Sequence, residues 1–430
     1  MTAESLEVWL EGRRAGQLAV AGGTLVFTYA ADYQADPHAT PLSLSMPLDG
    51  PACHEGGPAH LFFAGLLPEG RVLEYVARQH RISESNVFGL LEAIGGDCAG
   101  AVSVIPADTE GDGASPYHEP MDARTLAKLL AELPRWPVRP DHGGIRLSLA
   151  GAQNKLPVAF HDGDYALPHG AAASTHILKP AMAVHEDFAW ATVENEAFCL
   201  ALARRVGLPV PRSGIVDLGG PVLMLARYDR VWGDDAAGHA GFSSVRRVHQ
   251  EDFCQAMALP PSAKYENEGG PGFAACVECV RRHADVPVRD GGALLRWLVF
   301  NYLIGNADAH AKNLSFLLRG AGVELAPFYD LMSTAVYPDH AGNMAMKIGG
   351  QYDPAWLVRA EYWKRGAEDA GVRWPSLRRT LTEMATAVAT HAPSARAEVE
   401  DQVGAPVDLL GAISDEVIAR NADRLIALTG

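Results

Sequence analysis

Asp308, Asn313 and Asp330 are residues whose types and spacing suit a reaction. They lie in NYLIGNADAHAKNLSFLLRGAGVELAPFYD, residues 301–330. The polar loop 306–313 carries Asp308, His310, Lys312 and Asn313. Asp308 precedes Asn313 by the spacing at which phosphoryl-transfer loops set a base and a metal-binding amide. The apolar runs 314–318 and 323–325, split by Arg319-Gly320-Ala321-Gly322, predict a hairpin. A hairpin returns the chain to its start, so Asp330 is expected beside Asp308 and Asn313. Two carboxylates and an amide at one mouth can accept a hydroxyl proton and hold magnesium on nucleotide phosphates. The same loop also fits a polar surface turn with a capping Asn, so the elements around it must decide.

The run from Leu294 to Ile304 is hydrophobic almost all round and reads as a buried helix that Gly305 ends. Upstream, Ile145–Leu149 and Leu156–Phe160 read as strands joined by the small-residue turn Ala150-Gly151-Ala152-Gln153-Asn154-Lys155. Small residues let backbone N–H groups approach a phosphate, although an ordinary hairpin fits as well. Thr175–Lys179 is a strand stopped by Pro180. Thr192–Val206 is a helix closed by Gly207, with Glu194 and Glu196 in its first turns. Lys179 could be a solvated edge charge and the glutamates a response to the helix dipole. In a nucleotide site the lysine would meet phosphates and a glutamate would orient it. The hairpin 213–218 and 221–226 leads to Arg227-Tyr-Asp-Arg230, the expected handover to a helical region. Loop, lysine, helix glutamate, hinge, Asp, Asn, hairpin and Asp thus follow in the order a two-lobed phosphotransferase requires.

The 430 residues allow two to three domains, with 48% hydrophobic and 20% charged residues. A net charge of −16 argues against a surface given over to nucleic acid. The start, MTAESLEVWLEGRR, lacks the apolar core of a signal peptide, and no apolar run is long enough to span a bilayer. A cytoplasmic location without membrane contact is expected. Six scattered cysteines suit a reducing compartment, and Cys276-x-x-Cys279 reads as a pair of buried small hydrophobes on a helix. Residues 5–105 form a first unit of short strands, an alternating segment Pro41–Pro47, and helices over 60–67, 71–79 and 85–94, with Ser85 as a cap. No catalytic constellation is apparent in it. Residues 106–120 read as a linker and 121–133 as a helix. From Gln250 onward the pattern is mainly helical, over 253–259, 272–283, 376–391, 394–403 and 407–428.

These pieces resemble the HipA family of bacterial serine/threonine kinases, toxin partners of HipB-type antitoxins. The resemblance is carried by LSLAGAQNKLPV (147–158), THILKP (175–180), NEAFCLALARRVGLPVP (195–211), RYDR (227–230), HQEDFCQAMALPPSAKYENEGGPGF (249–273), NADAHAKN (306–313) and PFYD (327–330). PLSLSMPL, FFAGLLPEG and GAVSVIP resemble the family's amino-terminal domain. The resemblance implies an α+β, atypical bilobal protein-kinase-like fold: an amino-terminal β-rich subdomain over 1–110, an N-lobe over 121–228, and an all-helical C-lobe over 229–430.

It further implies ATP and Mg2+ as cofactors. Asp308 would be the catalytic base, with Lys312 and Asn313 beside it, and Asn313 and Asp330 the magnesium ligands. Lys179 would meet phosphates with Glu196 as its partner. Ala150, Gly151, Ala152, Gln153, Lys155, Arg227, Tyr228, His310 and Tyr329 would line the nucleotide site. Ser148 matches a serine that family members autophosphorylate, which silences them. Implied partners are a HipB-like helix-turn-helix antitoxin, operator DNA mainly through that antitoxin, and a protein substrate such as an aminoacyl-tRNA synthetase. Asn154 and Ala226 stand where the family pattern carries acidic residues, which bears on nucleotide affinity. A small-molecule kinase of similar fold, or a non-catalytic scaffold for antitoxin and DNA, are the other classes the sequence admits.

Overall fold

The computed structural model describes residues 4–107, 117–133, 153–170, 172–182, 191–233, 242–337, 342–353 and 358–429. The expected strand Ile145–Leu149 lies outside these residues, as do Ser148, Ala150, Gly151 and Ala152.

The first unit is an antiparallel sheet of β1 (Ser5–Leu10), β2 (Arg13–Ala21), β3 (Thr24–Tyr29), β4 (Cys53–Glu55) and β5 (Val102–Pro106), in the order β4-β3-β2-β1-β5. Alternation along β1 buries Leu6, Val8 and Leu10 on one face. They share a core with Phe62, Phe63, Val76 and Leu90 from the helices Gly57–Gly65, Gly70–His80 and Val87–Ile94. Two details differ from the sequence reading. Asn86, not Ser85, caps the third helix by accepting from the Gly89 N–H at 3.0 Å. Pro41–Pro47 is a turn rather than a strand, with one isolated bridge between Ser43 and Met46. Its two prolines cannot donate to a ladder. Its free N–H groups go instead to side chains: Leu42 donates to the Tyr29 hydroxyl and Leu44 to Glu251, each at 2.8 Å.

The second sheet has the order β10-β11-β9-β7-β8-β6. Its strands are β6 (Tyr117–Met121), β7 (Leu156–His161), β8 (Asp164–His169), β9 (His176–Pro180), β10 (Ser213–Asp217) and β11 (Pro221–Ala226). β6 falls in the stretch expected as linker, and β8 returns from a tight turn in which Asp162 and Gly163 both have positive φ. The helix Ala123–Glu132 packs Leu126 and Leu130 on one face, against Val158, Leu167, Leu178 and Val222. The helix Thr192–Arg205 covers the other face, where Leu223 and Leu225 point. Because side chains alternate, burying Leu178 toward the first helix sends Lys179 toward the second.

The third region is helical apart from two small sheets. β12 (Arg230–Trp232) pairs with β13 (Val245–Arg247). The expected hairpin, β15 (Ser315–Arg319) and β16 (Gly322–Leu325), is joined by β14 (His249–Asp252), which the helical pattern after Gln250 concealed. The C-terminal part is therefore mainly rather than wholly helical. Phe253–Ala256 is a single turn rather than a helix to Leu259. The helix Pro287–Ile304 starts seven residues before the apolar run because Pro287 suits a first turn. It buries Trp297, Phe300 and Tyr302 completely, and the Phe300 ring stabilises the core by roughly 1.5–3 kcal/mol. Trp374–Val403 is one 30-residue helix running through Pro393, not two. Cys276 and Cys279 are buried with free thiols.

The first unit docks on this frame through buried polar contacts. His249 Nε2 lies 2.9 Å from the Leu42 carbonyl, Gln255 Nε2 donates to the Phe62 carbonyl at 2.9 Å, and Ser43 Oγ donates to Glu251 at 2.7 Å. Gly65 permits the approach, since a Cβ there would stand 2.7 Å from Gln255 Cγ. Asp97 enters a buried ion network with Arg247 at 2.8 Å, Arg230 at 3.5 Å and Arg227 at 3.8 Å, and Asp229 completes it.

Candidate active site

The loop after the buried helix is held by its own amides. Gly305 ends the helix with φ 69°, and a Cβ there would meet Ala335 at 2.8 Å. Asn306 Nδ2 donates to Asn301 Oδ1 at 2.7 Å, and Asn306 Oδ1 accepts the Asp308 N–H at 3.0 Å. Asn313 Nδ2 donates to the Asp308 carbonyl at 2.9 Å. That bond commits the amide nitrogen and leaves Asn313 Oδ1 as the atom a cation could use. The Asp308 side chain is 56% exposed into the cleft.

The hairpin brings Asp330 back. Lys179 Nζ donates to Glu196 Oε1 at 2.8 Å and to Asp330 Oδ1 at 2.5 Å. Three residues far apart in the chain thus meet, with Lys179 and Glu196 buried. Asp330 is non-glycine at φ 52°, a backbone state costing ~1–3 kcal/mol that persists only where the surroundings impose it. Partial desolvation disfavours its charge, although 44% of the side chain stays exposed, and Lys179 and Lys155 more than offset this and hold the carboxyl below its ordinary range. Burial pushes Lys155 down to about 8, against the pull of Asp330. Burial likewise works against the charge of Lys179, which Asp330 and Glu196 raise above its ordinary range.

Lys179, Asp308, Asn313 and Asp330 line one cleft of about 680 Å3, within the ~300–1,000 Å3 of ligand pockets. Gln153, Lys155, His310, Lys312 and Tyr329 line it too. Glu196 stands behind Lys179, and Glu194, buried in the same helix, is not in that pair. Tyr228 stacks on Tyr329 with centroids 5.9 Å apart. The Arg227 guanidinium makes two bonds to Asp229, at 2.9 and 2.7 Å, so its charge serves the ion network while the hinge itself borders the cleft. Lys312 donates to Asp252 at 2.6 Å and lies 3.7 Å from Glu69. Ser148, Ala150, Gly151 and Ala152 fall outside the described residues. No cluster of three or more His, Cys, Asp or Glu side chains suited to a metal occurs among the described residues. Asn313 Oδ1 and the Asp330 carboxylate are too few to hold a magnesium ion alone, and such a site would need phosphate oxygens or water as well.

Sequence reasoning missed several neighbours of this cleft. The first unit, which showed no catalytic constellation, supplies Glu69, whose carboxylate accepts from Lys264 Nζ at 2.8 Å. Tyr265 donates its hydroxyl to Asp308 Oδ1, and Asp252 anchors Lys312. Local spacing gives no sign of these pairs, because Glu69 and Lys264 are 195 positions apart. The clue available was that both lie in segments that carried the family resemblance.

Residues 6–105 match the family model of the HipA N-terminal domain, and residues 147–392 that of the HipA-like C-terminal domain. The protein Y4mE of Sinorhizobium fredii is 41% identical over 400 residues, covering 90% of this chain and 91% of the relative. The serine/threonine-protein kinase toxin HipA of Shewanella oneidensis is 32% identical over 416 residues, covering 92% and 89%. Among solved structures, the Shewanella oneidensis MR-1 toxin–antitoxin complex of HipA, HipB and its operator DNA superposes with a TM-score of 0.82. The match has 29% identity and covers 99% of this chain and 98% of that chain. The two-lobed α+β architecture described above is the fold of that protein.

Proposed function

Because the chain belongs to the HipA family of kinases, we propose that it is an ATP-dependent serine/threonine kinase acting on a protein. The observation that carries this reading is the buried Lys179, bonded to Glu196 at 2.8 Å and Asp330 at 2.5 Å on the cleft that Asp308 enters. Lys179 meets nucleotide phosphates, and Glu196 keeps its ammonium aimed. Tyr228, Tyr329 and the hinge take the base. Asn313 and Asp330 would hold magnesium, which would supply neutralisation of phosphate charge. Asp308 accepts a hydrogen bond from the acceptor hydroxyl and takes its proton as that oxygen bonds to the γ-phosphorus and the bond from the γ-phosphorus to the β-phosphate oxygen breaks, releasing ADP. Catalysis is then mostly positioning and fixed charge. Lys155 adds a second cation on the phosphate side, and His310, whose charge is disfavoured first by burial, sits neutral beside Asp308.

Regulation and partners follow the family pattern in this proposal. Ser148 is the autophosphorylation site that silences the enzyme. A HipB-like helix-turn-helix antitoxin is the partner and brings operator DNA with it. An aminoacyl-tRNA synthetase is the candidate target, and the protein works in the cytoplasm. The test is incubation of the protein with γ-labelled Mg-ATP and a fractionated cell extract. Label is expected on serine or threonine of proteins, including the Ser148 peptide. Label appearing only on metabolites would replace this reading with a small-molecule kinase, and no nucleotide binding at all would leave a scaffold.

A further inference from the structure

Tyr265 hydrogen-bonds the carboxylate of Asp308, whose Oδ1 also lies 3.9 Å from His310 Nε2. The Tyr265 hydroxyl donates to Asp308 Oδ1, and its ring meets His310 edge-on, centroids 5.0 Å apart at 86°. The segment carrying it is closed on itself. The Tyr265 carbonyl accepts from Glu268 and Gly270 N–H groups at 3.0 and 2.9 Å. A Cβ on Gly270 would stand 2.4 Å from the Ala263 carbonyl, so this tight return of the chain needs glycine there. The neighbouring Lys264 is clamped from the first unit by Glu69 at 2.8 Å, and its ammonium lies 5.5 Å from the centre of the Tyr265 ring. The chain therefore runs from the first unit, through one ion pair and one tight turn, to Asp308.

We infer that Tyr265 is a positioning residue for Asp308, and that the first unit holds it in place through the Glu69–Lys264 pair. The inference rests on Asp308 being the base. The loop backbone is buried and pinned, but the exposed Asp308 side chain can still turn about its own bonds. The phenol on Oδ1 restrains that rotation, so the direction in which the carboxylate's remaining acceptor sites face a hydroxyl is set before substrate arrives. Burial, followed by the charge of Asp308, pushes the Tyr265 phenol upward, so it stays protonated and acts as donor.

The experiment compares wild type, Y265F, K264Q, the K264Q/Y265F double variant and D308A. It measures phosphate transfer from Mg-ATP to protein and, by calorimetry, the affinity for Mg-ATP. Y265F should lower kcat about 10- to 100-fold, as misaimed reacting groups do, with KM and affinity for ATP within twofold. K264Q should cost less than Y265F, and the double variant should be no more than twofold slower than Y265F, because Lys264 acts through Tyr265. A Y265F enzyme at the wild-type rate or faster overturns the inference, as does a loss shared equally with ATP affinity. Additive losses in the double variant overturn the link to the first unit. An inactive wild type would bring down the kinase reading and this inference with it. An active wild type, a dead D308A and a normal Y265F would leave the kinase reading standing and remove only Tyr265.

Discussion

Replacing Lys179 with Met should strand a buried charge. Lys179 is 4% exposed and Glu196 1%. The Asp330 side chain is 44% exposed, so water screens its loss and Glu196 carries the penalty. Breaking a buried pair by removing one partner costs about 3–5 kcal/mol. At ~1.4 kcal/mol per tenfold, opening of β9 and of the first turns of Thr192–Arg205 should become about 100- to 5,000-fold more frequent. Amide hydrogen exchange read by mass spectrometry resolves that local change. The penalty should shrink at low pH. Burial already raises the Glu196 carboxyl, with Lys179 pulling against it, and without Lys179 the group takes up a proton more readily. A raised acid favours the folded state below its unfolded pKa and loses that contribution as pH rises through the folded one. K179M should therefore approach wild-type protection near pH 5 and depart from it at pH 8. Adding E196Q should restore protection to within about tenfold at both pH values, because the deeply buried charge is gone and Asp330 is water-screened. Wild-type protection in K179M, or a double variant as unprotected as K179M, would show that Glu196 carries no buried-charge penalty.

The same logic extends to contacts between the units. D97N leaves Arg247, Arg230 and Arg227 without the carboxylate at 2.8, 3.5 and 3.8 Å. A loss of about 3–5 kcal/mol should appear as a lower melting temperature and faster exchange in both β5 and the hinge. Glu251 is pushed up from 4.5 to about 8 by burial, against donors from Leu44 and Ser43. It favours the folded state below about pH 4.5 and loses that contribution as pH climbs through about 8. Wild type should therefore lose more melting temperature than E251Q between pH 5 and 9, and parallel curves would exclude Glu251 as the cause.

Much of the site was legible because its parts are local. The Asp308 to Asn313 spacing is set within one loop, the hairpin that returns Asp330 is announced by Gly320 and Gly322, and Lys179 ends a strand that Pro180 marks. Meeting of these parts followed from topology, since the alternation that buries Leu178 also aims Lys179 at the helix carrying Glu196. What stayed hidden depends on distant partners. β14 is four residues long and becomes a strand because β15 pairs with it. Pro41–Pro47 alternates like a strand, yet Tyr29 and Glu251 claim its N–H groups. Glu69 and Tyr265 have no local signature, because their partners Lys264 and Asp308 lie 195 and 43 positions away.

The central claim is that Asp308 removes the acceptor's proton at a centre built by Lys179, Asn313 and Asp330. The direct measurement is single-turnover transfer of labelled phosphate from Mg-ATP by wild type and D308A at equal ATP occupancy. The account predicts a loss of about 10²- to 10⁴-fold, the range for a positioned general base, with ATP affinity within twofold. A D308A enzyme that transfers phosphate at the wild-type rate would contradict it.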